Sequence, residues 1–355
     1  MLRKFLPHFL KNIYSIYTEK KNTRFGINTL FMIPRQVGGT EVYLRDYIKK
    51  LETQKTTITY IIFCNKENFN SIIVRKRNFI KVLCPISASN RIVRILYEQL
   101  IFPFLLLQYG CDKVFSLGYI GPIFCPVYQS VTIHDCNWMD CPEDFTFLKK
   151  EVLKFFIGLS MLHADSIMTD SHFSLQRLIY YFPQYKDKIQ ISVPGLSHDF
   201  LNASKRKYMY PITNHSPYVL CISGFYPHKR IPYLFDLWEE IEKRNTDLKL
   251  VLIGAHGKDE NMIQNRVKYM HRVIYKPFVS EQQLVAYYQY AKISILPSIY
   301  EGYGYPAYES LYHRIPTFVG RKEMYEKKVQ RFLHQLTFSI FNDASMILST
   351  IKNKK

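Results

Sequence analysis

The stretch Glu301-Gly302-Tyr303-Gly304-Tyr305-Pro306-Ala307-Tyr308-Glu309, preceded by Pro297-Ser298, decides how this chain is read. It lies between an apolar run of strand type, Ile293–Leu296, and a helical run, Tyr305–His313. Gly302 and Gly304 let the backbone approach a ligand closely and present free N–H groups. The helix start that follows adds positive potential where a phosphate or sugar oxygen can sit. Glu309, one turn into that helix, can accept two hydroxyls of a ribose, and Glu301 can reach hydroxyls of a bound sugar. Taken alone, the same residues also describe a glycine-rich turn with a capping carboxylate.

The pattern continues outward on both sides. Short β-type runs alternate with helical runs, which argues for parallel α/β architecture. In the first half, Gly26–Met32, Thr57–Phe63, Lys113–Ser116, Ser130–His134, Ser166–Thr169 and Lys188–Val193 read as strands. Gly39–Leu51, Asn90–Leu107, Phe145–Leu162 and Ser171–Tyr181 read as helices, the last capped by Ser171. The polar, proline-interrupted stretch 202–217 reads as a linker or a loop next to one. A second series then begins, with strands at Tyr218–Ile222, Leu248–Ile253, Val273–Tyr275, Ile293–Leu296 and Thr317–Val319. Helices are expected at Lys229–Lys243, Glu260–Tyr269, Glu281–Ala291 and Tyr305–His313. The expected fold is α/β: two Rossmann-like, doubly wound parallel-sheet domains, residues 26–200 and 215–355, facing a cleft. Ligands in such sheets bind outside the carboxyl ends of the strands.

Three further segments carry candidate chemistry. In Pro217–Arg230 a strand runs into Ser223-Gly224, and Lys229 stands at a helix start, where a cation can neutralise a diphosphate. A solvated surface lysine is the plainer reading. Val37-Gly38-Gly39-Thr40-Glu41 follows the first strand, at a turn where glycines permit close approach. Thr132-Ile133-His134-Asp135 ends a strand in a histidine that, by itself, is as easily structural.

Composition narrows the alternatives. Of the 355 residues, 47% are hydrophobic and 22% charged, a globular balance with length for two cores. The 28 tyrosines and 25 phenylalanines suit interfaces and sugar-binding clefts, although lineage bias accounts for them equally well. The net charge of +19 asks for an anionic partner. No nucleic-acid-binding module is visible, which leaves anionic membrane surface and pyrophosphate-bearing substrates. Seven cysteines with no Cys-x-x-Cys spacing read as free thiols in a reducing compartment, and no metal site is expected. Residues 1–25 form a basic amphipathic pattern of the kind that lies in a bilayer interface or packs on the protein's own surface. No signal peptide or transmembrane run is present in the sequence.

With these motifs in place, the chain resembles glycosyltransferase family 4, whose Glu-x(7)-Glu motif, EGFGLPxxE, matches Glu301 to Glu309. His313–Val319 fits the segment that follows it in the family. The resemblance implies a retaining, metal-independent transferase of the GT-B fold that uses a nucleotide-sugar as co-substrate and no cofactor. It places Glu309 on the nucleotide ribose, Glu301 on the donor sugar, and Tyr303, Gly304 and Tyr305 around that sugar or its phosphates. Lys229 matches the basic residue that grips the donor diphosphate behind Gly224. Phe225 stands where many members carry arginine, and Arg230 or His228 is the candidate replacement. Gly38 and Gly39 match the first-domain glycine loop, and His134 matches a histidine close to the reacting sugar. Ser171 and Val193-Pro194-Gly195 match architectural positions. Only 46 residues follow Glu309, so the family's final helices are expected to be shortened or missing.

The expected role is hexose transfer, with GDP-mannose or a similar donor, to a glycan or lipid-diphosphate-linked acceptor in surface polysaccharide or lipopolysaccharide synthesis. The expected location is cytoplasmic and peripheral, at the inner membrane face. A nucleotide-sugar epimerase on the same fold and a non-catalytic scaffold are the alternatives.

Overall fold

The computed structural model describes residues 23–212, 215–244 and 247–353. The expected N-terminal amphipathic segment lies almost wholly outside them. The chain divides into two compact units, and the division is not a single cut. The first unit takes the residues up to Asp135, Glu151–Asp170 and Leu175–Pro194. The second takes Cys136–Lys150, Ser171–Ser174 and everything from Gly195 onward.

The first unit holds seven strands: β1 (Arg24–Asn28), β2 (Thr59–Cys64), β3 (Phe79–Leu83), β4 (Lys113–Ser116), β5 (Tyr128–Thr132), β6 (Ser166–Thr169) and β7 (Ile189–Ile191). They pair in the order β3-β2-β1-β4-β5-β6-β7, every pair parallel. The second unit holds β8 (Tyr218–Ile222), β9 (Lys249–Ile253), β10 (Val273–Lys276), β11 (Ile293–Leu296), β12 (Thr317–Val319) and β13 (Leu333–Gln335). Their order is β10-β9-β8-β11-β12-β13, again all parallel. Parallel strands are covered on both faces and so read as unbroken apolar runs. The buried Tyr60–Cys64 and Leu250–Ile253 are such runs. Strand order reverses between β1 and β4 and between β8 and β11, and each reversal opens a crevice at the strand carboxyl ends.

Several elements depart from the sequence reading. The expected helix Asn90–Leu107 is two helices, Arg91–Leu100 and Phe102–Gln108, since Pro103 has no N–H to continue the first. Strand β3 escaped notice because it is half exposed, with Lys81 in its middle. The first strand ends at Asn28 and not at Met32, where the Met32 N–H closes a turn on the Thr29 carbonyl. The polar stretch 202–217 is not the boundary. The helix His198–Ser204, capped by Ser197, already belongs to the second unit, and Phe200 is buried against Tyr288.

The segment after Glu309 carries a helix of 13 residues. This helix, Ile340–Lys352, packs on the helix Ile231–Arg244, burying Ala344 and Ile347 in the core that contains Trp238. Buried Asp343 anchors it, accepting from the Thr337 and Phe338 N–H groups, the Thr337 hydroxyl and the Tyr233 hydroxyl.

Candidate active site

In the second unit, the strand-order reversal brings two loops together. One leaves β8 through Ser223-Gly224-Phe225 and makes a tight turn at Pro227–Lys229. The other leaves β11 through Pro297 to Gly304. The Ile299 N–H donates to the His228 carbonyl at 2.9 Å and ties them. Across this tie Lys229 Nζ meets Glu301 Oε1 at 2.7 Å, with both side chains mostly covered. Burial on its own pushes the Glu301 carboxyl up. The Lys229 charge and hydrogen bond, with help from His228 and Ser298, more than reverse that and hold it below the usual range. The Glu301 carboxyl is therefore an anion at neutral pH, facing the Lys229 amino group at the mouth of the reversal.

Gly224 is not required by the chain itself, since a Cβ there would make only ordinary contacts, the nearest at 3.4 Å to the Tyr226 ring. Gly254 and Gly257 are required. Their φ angles are +144° and +141°, and a Cβ would fall 1.8 and 2.1 Å from the carbonyl oxygens of Ser223 and Phe225. The loop after β9 thus lies backbone against backbone on the loop after β8. Phe225 is fully buried in the core, so no cation stands at that position. Arg230 has a left-handed backbone, with φ of 53°, and its guanidinium lies over the Phe338 ring. His228 is buried and bonded to Asp144, which excludes it as a solvent-facing replacement.

Gly304 caps the helix Tyr305–Tyr312 in the left-handed region, with φ of 80°. The rings of Tyr303 and Tyr305 are buried. Tyr303 stacks on Tyr308 with centroids 4.4 Å apart, and Tyr305 meets Tyr303 edge-on at 4.9 Å. These side chains build the loop's base, so the segment's backbone is what remains for a ligand. The Gly302 carbonyl accepts from the Ser171 hydroxyl at 2.6 Å and the Ser174 hydroxyl at 3.2 Å. Ser171 also accepts from the Ser174 N–H at 3.0 Å, so one serine caps a helix and braces the loop.

Glu309 is buried one turn inside its helix, where Tyr288 Oη donates to its Oε2 at 2.7 Å. Burial pushes the carboxyl up to about 7, against a lowering by the Tyr288 hydrogen bond and a further rise from Glu281. The Tyr325 hydroxyl lies beside Gly304, buried and without a hydrogen-bond partner among the described residues. Neither Tyr288 nor Tyr325 had a sequence signal, since tyrosine recurs throughout the chain.

The first unit carries the other candidates. Gly38 has φ of 56° and leads into the helix Gly39–Thr53. A Cβ on Gly38 would meet nothing within 4 Å. Glu41 holds this turn by accepting from the Arg35 N–H and from Arg45.

His134 sits just past β5, buried between the rings of Tyr43 and Tyr119. Its Nδ1 lies 2.7 Å from Asp170 Oδ2 and its Nε2 lies 2.9 Å from the Leu117 carbonyl. The Leu117 carbonyl can only accept, so Nε2 carries a proton, and the carboxylate beside Nδ1 favours a second one there. Burial opposes the charge that the second proton brings. The Asp170 carboxylate, the two hydrogen bonds and Asp135 outweigh it and raise the pKa above the ordinary histidine value. His134 therefore offers no unengaged nitrogen to a sugar in this arrangement. Asp170, which the sequence reading passed over, closes the strand next to that of His134 and leaves its Oδ1 buried without a partner among the described residues.

Because this folded-state pKa is raised, the stabilisation is complete below the ordinary histidine value near 6.5 and is lost as pH rises through the folded value. Urea midpoints are expected to fall from mildly acidic to alkaline pH. Asp170→Asn should abolish that trend and cost about 3 kcal/mol at the acidic end, because it strands a buried cation.

Residues 207–347 match the family model described as glycosyl transferases group 1. The O-antigen chain mannosyltransferase B of Escherichia coli is 24% identical over 193 residues, 52% of this chain and 51% of that protein. The chain thus spans about half the length of the curated relative it matches. Among solved structures, Anabaena HepE in complex with UDP and glucose is similar with a TM-score of 0.66 and 14% identity, over 94% of this chain and 91% of HepE. WaaG, a glycosyltransferase involved in lipopolysaccharide biosynthesis, gives 0.64 and 11%, over 92% and 90%. The chain has the GT-B type of fold, two Rossmann-like parallel-sheet units, and its second unit carries the match to the group 1 glycosyl transferases.

Proposed function

We propose that this protein is a retaining glycosyltransferase that moves a hexose from a nucleotide-sugar to a glycan or lipid-linked acceptor in surface polysaccharide or lipopolysaccharide synthesis. The observation that carries this reading is the Lys229–Glu301 ion pair at the strand-order reversal of the unit that matches the group 1 model. On donor binding, the Lys229 ammonium turns part of its charge to the diphosphate, whose developing negative charge it stabilises as the sugar–phosphate bond breaks. Glu301 takes hydroxyls of the sugar, Glu309 takes the ribose, and the backbone around Gly304 lies against the phosphates. A charge-matched pocket of this kind supports transfer without a divalent metal, so added magnesium is not expected to raise kcat.

GDP-mannose is the favoured donor, supported by the mannosyltransferase relative. Thermal shift across a panel of nucleotide-sugars, followed by product analysis with lipid extract, tests both donor and acceptor. Release of free sugar or an epimer without any acceptor product would overturn transfer in favour of an epimerase or hydrolase.

A peripheral membrane location is part of this proposal. Among the described residues no helix is long and apolar enough to cross a membrane. The helices Arg91–Leu100 and Phe102–Gln108 instead expose Ile92, Leu96, Leu100 and Phe104, four residues apart each time, with Arg91 beside them. Such a stripe on a chain of net charge +19 suits an anionic lipid surface. The protein is expected to float with vesicles containing phosphatidylglycerol at low salt, and Leu96→Glu to lose most of that binding. Equal flotation of the variant would remove this helix from the membrane face.

A further inference from the structure

Cys141, Asp144 and His228 converge in the second unit. One side-chain donor from each, the Cys141 sulfur, an Asp144 carboxylate oxygen and a His228 ring nitrogen, all lie within 4.8 Å of one another. All three residues are buried. Cys141 leads into the single tight turn Pro142–Asp144, Asp144 ends it, and His228 lies in the turn Pro227–Lys229 that packs on it. His228 Nδ1 already bonds Asp144, and the His228 N–H donates to Asp144 Oδ1 at 3.3 Å.

From this arrangement we infer that Cys141, Asp144 and His228 form a binding site for one thiophilic divalent cation, zinc being the ion that suits the set. Sulfur, imidazole nitrogen and carboxylate oxygen on one centre are the zinc donor set, whereas magnesium or calcium would call for oxygens alone. Tetrahedral bonds of ~2.0–2.3 Å set neighbouring donors ~3.3–3.8 Å apart, inside the 4.8 Å that bounds these three. The nearby charges permit the ion. Asp259 feels the negative charge of Asp144, so the neighbourhood holds a second carboxylate. Lys229, next to His228, pairs with Glu301, and Lys258 donates to the Glu143 carbonyl.

The site's position gives it a role distinct from the transfer chemistry. Cys136–Lys150 belongs to the second unit although the segments before and after it belong to the first. The Cys136 N–H donates to Tyr300 Oη at 2.8 Å, and the His228 carbonyl holds the Ile299 N–H. A cation at the three donors would fasten this inserted segment to the loop that carries Lys229. The inference stands whether or not the protein is a glycosyltransferase.

Cobalt(II) replaces zinc with a spectroscopic signature and so provides the test. Full-length protein stripped with chelator is titrated with cobalt(II). One equivalent per chain is expected to raise a thiolate-to-cobalt charge-transfer band together with the intense visible bands of a four-coordinate ion, and zinc should bleach both. Cys141→Ser is expected to lose the charge-transfer band, and Cys125→Ser, outside the cluster, to keep it. Zinc added to the stripped wild type should also raise its Tm, by an increment absent from Cys141→Ser. Absence of the thiolate band from folded wild-type protein overturns the site, whatever the variants do. So does a band that survives in Cys141→Ser.

Discussion

Lys229→Met is expected to lower kcat by roughly 100- to 1000-fold, the range seen when one donor aimed at developing charge is removed. In the unliganded protein the lysine balances Glu301 across 2.7 Å, with the two side chains only 18% and 14% exposed. Its removal leaves a buried carboxylate without its cation, a change that costs about 3–5 kcal/mol when the remaining charge cannot relax. Glu301 can take up a proton instead, which caps the loss near the lower figure. The two consequences separate in a double variant. Lys229→Met with Glu301→Gln should recover most of the stability, measured by urea unfolding, while remaining inactive in single-turnover product assays. A Lys229→Met enzyme with unchanged kcat would remove the diphosphate role, and a double variant as unstable as the single one would show that the pair is not the source of the destabilisation.

Glu309→Gln is expected to have opposite effects on stability and on donor affinity. The Glu309 carboxyl titrates near 7 in the folded chain against an ordinary value of 4.5. Below the ordinary value both folded and unfolded forms are protonated and burial of the group carries no penalty. Between the two values the unfolded chain ionises first, so stability falls with rising pH until the folded form ionises as well. The accumulated penalty above neutrality is about 3 kcal/mol, one pKa unit being worth ~1.4 kcal/mol. The glutamine variant escapes it, so at alkaline pH it should unfold at higher urea than the wild type and at acidic pH at the same urea. Its donor affinity should fall, because a carboxylate accepts from two ribose hydroxyls and a charge-assisted hydrogen bond contributes about 1.5–3 kcal/mol, or ~10- to 100-fold in Kd. For the same reason wild-type donor affinity should rise as pH passes through 7. Calorimetry that finds an affinity independent of pH across this range would exclude Glu309 from the ribose.

The parts legible in the sequence are those in which one physical requirement dominates a short window. Ile293–Leu296 is buried on every side chain, so it reads as a strand without ambiguity. Gly304 must adopt a left-handed backbone where that strand's loop becomes a helix, and the glycine marks the site. Features that depend on distant partners were not legible. Nothing near His134 in sequence foretells that Asp170, one strand over, and the Leu117 carbonyl will take both its nitrogens. Phe79–Leu83 has a lysine at its centre and leaves Ile80 and Leu83 exposed, and its pairing with β2 depends on residues distant in sequence. The polar stretch 202–217 reads as a linker or a loop beside one because polarity is local, whereas the division follows packing, and Phe200 already belongs to the second core.

The bracing of the Gly302 carbonyl by Ser171 and Ser174 bears on how such chains can be recombined. The serines precede the main body of their unit in sequence, as does the Cys136–Lys150 segment. A chimera spliced at Gly195 would therefore pair one parent's loop with the other parent's brace. A fragment starting there would carry the loop and no brace at all. Exchange of donor specificity between relatives should succeed only when three separate pieces of chain travel together, which makes this second unit heritable as a mosaic and not as a block.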